Sequence, residues 1–269
     1  MSSASILPLF RRELAQSWRS TLGWTLGIVA ALLLYLPLFP ALGGADSQMQ
    51  QLISTLPPQL VSALGYGAIT TGAGYTEATF YGLLGFVMIV IAATSWSTAA
   101  IAGDEENGTL ELTLAHRVSR GQLVLERTLA IVVRLAWLAA VSAVVVLLLN
   151  PSAQLGLDAA HVLAVSAAYL GLGLVSATLG LASGALFGRR VVATAAAAGI
   201  AVVGYALNAV GSQSADLDWL RDYSPYGWAY HHVPLATGAD WPGLGLLYGL
   251  SALFVVIAVV ALQRRDIAS

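Results

Sequence analysis

Apolar residues run through this chain in blocks far longer than a soluble core needs. Six stretches, at about residues 22–42, 80–102, 125–149, 162–187, 191–211 and 244–262, are apolar almost without interruption. A helix needs about 20 apolar residues to cross the hydrocarbon core of a bilayer. Lipid offers no partner to a backbone N–H or C=O, so each block predicts a membrane-spanning α-helix. The expected fold class is all-α integral membrane: six transmembrane helices in a single transmembrane domain over residues 1–269.

The polar segments between the blocks carry their own patterns. In residues 5–20, Ile6, Phe10, Leu14 and Trp18 recur every four positions, while Arg11, Arg12, Glu13, Gln16 and Arg19 lie off that face. This predicts an amphipathic helix lying in the membrane interface, read either as a basic anchor or as an elbow that also meets a partner. The 43–79 connection is long; Met49, Leu52, Ile53 and Leu56 repeat at helical spacing, Pro57-Pro58 stops that helix, and the glycines around 65–74 predict an irregular return. The 212–243 connection holds Trp219, Tyr223, Tyr226, Trp228, Tyr230 and Trp241, which fit an aromatic interfacial belt or a substrate exit surface. Both are expected to be ordered external loops.

Residues 103–122 are the most informative connection. Asn107-Gly108 is a turn signal; Thr109 can cap a short helix with Glu111 in its first turn, placing Leu110 and Leu114 on one face. Ser119 with Gln122 then forms a capping box for the third span, and Val118 with Leu123 a hydrophobic staple. A connector needs no helix of its own. This one reads as a cytoplasmic docking element, the alternative being a passive loop.

Charge sets the orientation. The chain has twelve basic residues, all arginine, and no cysteine. With the N-terminus in the cytoplasm, nearly every arginine lies inside and only Arg221 outside; both termini are then cytoplasmic. No cleavable signal peptide is expected, since no small-residue cleavage site clearly interrupts the first apolar block. A charged fraction of 10% and a mean hydropathy of +0.78 exclude an ordinary soluble domain.

Within the spans, Gly180, Gly184 and Gly188 form a small-residue row facing Ala193 and Ala195–Ala198, which predicts a tight helical hairpin. Thr94, Ser95, Ser97 and Thr98 form a polar run read as helix–helix hydrogen bonding or as the lining of a transport pathway. Arg120, Arg127 and Arg134 fall seven apart on one stripe; Arg134 is deep enough to need snorkelling, an acidic partner or water. The four histidines show no metal-ligand spacing, and no catalytic triad or carboxylate pair occurs in the spans. The span centres lack the ionisable groups of ion-coupled transporters. A chain without lysine cannot carry a P-loop. Transport, if any, must be driven from outside the chain.

Glu105-Glu106-Asn107-Gly108-Thr109-Leu110-Glu111, followed by Val118-Ser119-Arg120 and Arg127, resembles the permease subunits of type-2 ATP-binding-cassette exporters. Ser224-Pro225-Tyr226, Pro234-Leu235, Gly238 and the terminal Arg264-Arg265-Asp266-Ile267 resemble the same family, although Arg117 stands where it usually has proline. The resemblance implies a coupling helix over residues 108–116. It also implies two cytoplasmic ATPase chains that carry ATP and Mg, no cofactor on this chain, and a second permease copy as homodimer or related heterodimer. The ATPase-coupling residues would be Glu105, Glu106, Gly108, Thr109, Leu110, Glu111, Leu114, His116, Arg117 and Arg120. The substrate path would lie between two permeases near the first, second and fifth spans, in a bacterial cell membrane, with no nucleic-acid partner. A hydrophobic or amphipathic cargo is expected; the alternative function is a non-transporting membrane scaffold or sensor-associated subunit.

Overall fold

The computed structural model describes residues 7–42, 70–108 and 119–265. Six helices in it are long and apolar enough to cross a membrane. They are α1 (Pro8–Tyr35, continued by short turns so that the span covers Leu9–Ala41), α2 (Gly72–Glu106), α3 (Arg120–Leu149), α4 (Ala159–Phe187), α5 (Arg190–Gly211) and α8 (Trp241–Arg264). Two short helices, α6 (Pro225–Tyr230) and α7 (Pro234–Thr237), lie between α5 and α8. Successive spans run in opposite directions. The start of α1 and the α2–α3 and α4–α5 connections therefore gather with the end of α8 at one pole, the arginine end.

Helix α4 is the central pillar, packed on α2, α3, α5 and α8. Its apolar window is 78% buried, against 28% for α1, 22% for α5 and 17% for α8. Small residues make this possible. A Cβ added at Gly180 would collide with Ser97 Oγ of α2 and sit 3.1 Å from Ala197 Cβ of α5, and Gly184 lies against Ala102 and Ala193. Gly188 then ends α4 in the left-handed conformation at φ 64°, its N–H bonded to Gly184 O. The predicted hairpin forms, with two intervening residues, Gly188 and Arg189, before α5. Gly180→Val is expected to overpack this three-helix contact and cost about 1–3 kcal/mol. Thermal melting of the detergent-solubilised protein measures it, and an unchanged midpoint would refute the close packing.

The polar segment over residues 8–20 is not set off from the first span; it is the first part of one 28-residue helix, about 42 Å long. No proline or glycine lies between Pro8 and Gly23, so nothing breaks the helix where polarity changes. The second span likewise starts at Gly72 rather than near residue 80. Thr71 caps it through Gly74 N at 3.1 Å. Gly72 serves close packing against the Leu155 backbone, not an irregular loop. The 49–56 helix lies outside the described residues.

Two stretches of α2, Glu77–Leu84 and Ala99–Gly103, are π-helical. Tyrosines from neighbouring helices donate to carbonyls in and just after the first of them: Tyr226 Oη of α6 to Gly82 O at 2.7 Å, and Tyr169 Oη of α4 to Gly85 O at 3.0 Å. The 212–243 connection is ordered as a 3₁₀ stretch, Ala215–Tyr223, followed by α6 and α7. Its aromatics divide. Trp219, Tyr223 and Trp241 are exposed, as a belt requires, whereas Tyr230 is buried and Tyr226 packs against Phe86 and Tyr205.

Candidate coupling site at the arginine end

The site is built around residues 109–118, which lie outside the described residues, as do the predicted coupling residues Thr109, Leu110, Glu111, Leu114, His116 and Arg117. Its two feet are described. On the incoming side α2 leaves its second π stretch and ends in Asp104, Glu105 and Glu106; Asn107 and Gly108, at φ 68°, make the turn. Successive residues on a helical turn point about 100° apart, so the three carboxylates reach different neighbours. Asp104 forms an ion pair with Arg127 of α3. Glu105 takes the Arg265 guanidinium on both oxygens, with Nη1 to Oε2 at 3.0 Å and Nη2 to Oε1. Glu106 Oε1 accepts the N–H of Arg190 at 2.8 Å, in the first turn of α5, where the helix dipole favours a carboxylate.

The outgoing foot is equally bound. Ser119 Oγ caps α3 by accepting Gln122 N at 3.1 Å. Only half of the expected capping box forms: the Gln122 side chain turns forward and donates to Glu126 Oε1 at 2.7 Å instead of reaching back. A charged acceptor one turn away binds an amide donor better than the reciprocal partner would. Arg120 Nη1 donates to Leu262 O at 3.1 Å and to Arg265 O, satisfying carbonyls at the end of α8. Arg265 is thus held by both feet, its side chain by Glu105 and its carbonyl by Arg120. Its Nη1 also reaches Ala185 O at the end of α4, at 3.4 Å.

Glu126 completes the ring. It is 1% exposed, and its Oε2 accepts from Leu9 N at 2.8 Å and Phe10 N at 2.9 Å. Every long helix therefore has its arginine-end terminus tied, directly or through one residue, to a foot of the 109–118 segment. Sequence reading singled out Glu105, Glu106, Gly108 and Arg120 here. Asp104 and Glu126 were missed, and Arg265 was seen only as part of a terminal motif. Glu126 falls four residues after Gln122, a helical spacing that could have flagged the pair.

The other predicted residues lie apart from this ring. Thr94, Ser97 and Thr98 are buried between helices, with Thr98 Oγ1 and Ser97 Oγ donating to Thr94 O at 2.8 and 3.2 Å. Ser95 is exposed, on the same α2 stripe as Leu83, Val87 and Ile91. At the opposite pole Glu77, which falls in the 43–79 connection expected to be an external loop, is buried and accepts Leu235 N at 3.3 Å. Nearby, burial and the Arg221 guanidinium hold the His231 imidazole below its ordinary range.

The described residues form an all-helical bundle with six helices long and apolar enough to cross a membrane and with ionic contacts gathered at one pole, which places the chain among polytopic membrane proteins. A family model described as ABC-2 family transporter protein matches residues 7–267, and the chain belongs to that family of ABC transporter permease subunits. No curated protein matches the chain.

Proposed function

We propose that this chain is the permease half of an ATP-driven exporter of hydrophobic or amphipathic compounds, with ATP and Mg bound on a separate ATPase that seats residues 109–118. The observation that carries this reading is the ring of ionic contacts joining both feet of that segment to all six long helices. A displacement applied to a free loop would be absorbed locally. Applied between these feet, it moves α2 and α3 and, through Arg265, the end of α8. In this reading the arginine end is cytoplasmic, because basic residues concentrate on that side of bacterial membranes. Two ATPase chains act on two permeases. The second copy seats on α5 and on the part of α1 beyond Thr25, where Leu26, Leu33 and Leu34 are exposed within one chain. The exposed α2 stripe bearing Ser95 then lines the path between the copies, and its aliphatic neighbours favour an apolar cargo.

The test is co-purification with the ATPase encoded beside it, comparing wild type with Leu110→Asp plus Leu114→Asp. Placing two carboxylates on the apolar docking face is expected to weaken association about tenfold or more and to abolish substrate-stimulated ATP hydrolysis. Association and stimulation both at wild-type levels would defeat the proposal.

A further inference from the structure

Between α1 and α3 a groove of about 390 Å³ opens on the outer face of the bundle. Trp18, Leu22, Thr25, Val133 and Trp137 line it, and Arg134 stands at its base. The two tryptophans are 56% and 55% exposed, whereas Arg134 is 5% exposed. Arg134 does not snorkel along the surface. Its Nε donates to Ala130 O at 3.1 Å and its guanidinium lies 4.7 Å over the Trp96 ring. Its two terminal nitrogens donate to no acceptor among the described residues. Glu13 is within electrostatic range but makes no ion pair with it among the described residues.

Depth comes from the register of the two helices. Leu9 and Phe10 are level with Glu126. Arg134, eight residues further along α3, is therefore level with about residue 17 or 18 of α1. That is where α1 passes from Arg19 and Ser20 into the apolar run beginning at Thr21-Leu22. The groove thus straddles the boundary between headgroups and acyl chains, where exposed tryptophans concentrate. A guanidinium there, with unfilled donors and apolar walls, needs an anion that brings its own hydrocarbon.

We infer that this groove is a binding site for an anionic glycerophospholipid, its phosphate on Arg134 and an acyl chain along Leu22, Val133 and Trp137. A phosphodiester accepts the guanidinium fork from two oxygens. Zwitterionic lipid supplies the same phosphate with a neutralising ammonium and binds less well. The site concerns the leaflet at the arginine end, which the proposed topology makes cytoplasmic.

The experiment uses purified full-length chain in detergent, with no ATPase and no orientation, so its outcome is independent of the coupling proposal. Phosphatidylglycerol, phosphatidylcholine and inorganic phosphate are added separately; thermal midpoint and lipid retention by native mass spectrometry are read. Phosphatidylglycerol is expected to raise the midpoint and to be retained, with little effect from the other two. Arg134→Gln is expected to lose this preference about tenfold. Trp137→Ala, which removes a half-exposed side chain and its Nε1 donation to Thr25 Oγ1, should weaken retention and shrink the midpoint shift that phosphatidylglycerol produces relative to the variant's own lipid-free midpoint, and it decides the matter if Arg134→Gln does not fold. Glu13→Gln should strengthen retention by removing a competing carboxylate. Equal effects of the two lipids, an equal effect of inorganic phosphate, unchanged retention in both groove variants, or a loss in Glu13→Gln matching that in Arg134→Gln would each overturn the inference.

Discussion

Asp104→Ala is expected to lower the stability of the protein by about 3 kcal/mol and to uncouple ATP hydrolysis from transport. The loss follows from what is left behind. Arg127 is 4% exposed, and its Nε and Nη1 already lack an acceptor among the described residues. Asp104 supplies the compensating charge. Removing one member of a buried pair strands the other in a medium that solvates it poorly, at a cost of about 3–5 kcal/mol. The lower end applies because the Asp104 side chain keeps 30% of its exposure. The double variant Asp104→Ala, Arg127→Leu removes charge and countercharge together and should recover most of the stability. It should not recover coupling, since α3 no longer grips the foot of the loop. Melting curves of both variants decide the first point, and transport per ATP hydrolysed decides the second. A double variant no more stable than the single one would refute the stranded-charge account.

The second large effect belongs to Glu126. With Pro8 at its first helical position, α1 has Leu9 and Phe10 N–H groups of the kind that an N-cap side chain ordinarily accepts. Its own N-cap residue, Leu7, sits at φ 61° and provides no side-chain acceptor. Glu126 supplies from α3 the acceptor that α1 lacks. Two hydrogen bonds to a charged acceptor at a buried site are worth about 3 kcal/mol together, so Glu126→Ala should detach the first turn of α1 at about that cost. Glu126→Gln keeps an acceptor oxygen but loses the charge, and should cost about half as much. Amide hydrogen exchange at Leu9 and Phe10 is the direct measurement. Protection unchanged in Glu126→Ala would mean that the cap is not what holds the helix.

Which features were legible from sequence follows from how locally each is determined. The six spans depend only on runs of apolar residues, and all six appear. Ser119 as a cap is decided within one turn of chain, and it holds. The start of the second span was hidden because Gly72 looks like loop composition, while its role depends on Leu155, distant in sequence. Glu77 reads as an external acid for the same reason, its partner being the backbone of Leu235. At the candidate coupling site Glu105 and Glu106 were singled out through a motif, yet a motif says nothing of what each grips. Arg265, the N-terminus of α5 and the end of α8 come to them only when the bundle closes. The first turn of α1 meets Glu126 across 116 and 117 positions of chain, a separation at which no periodicity carries information.

The clasp on Arg265 also sets an order in time. Glu105 and its guanidinium partner are 160 residues apart in the chain. At ribosomal rates of about 5–20 residues per second, the acidic foot waits about 8–30 s after its own synthesis before that partner exists. For most of that interval α2 and α3 are already made, while the residues that flank the loop between them have nothing from α8 to brace them. The surface at the arginine end is therefore finished last, when the final helix arrives, and a half-made permease has no completed face to offer.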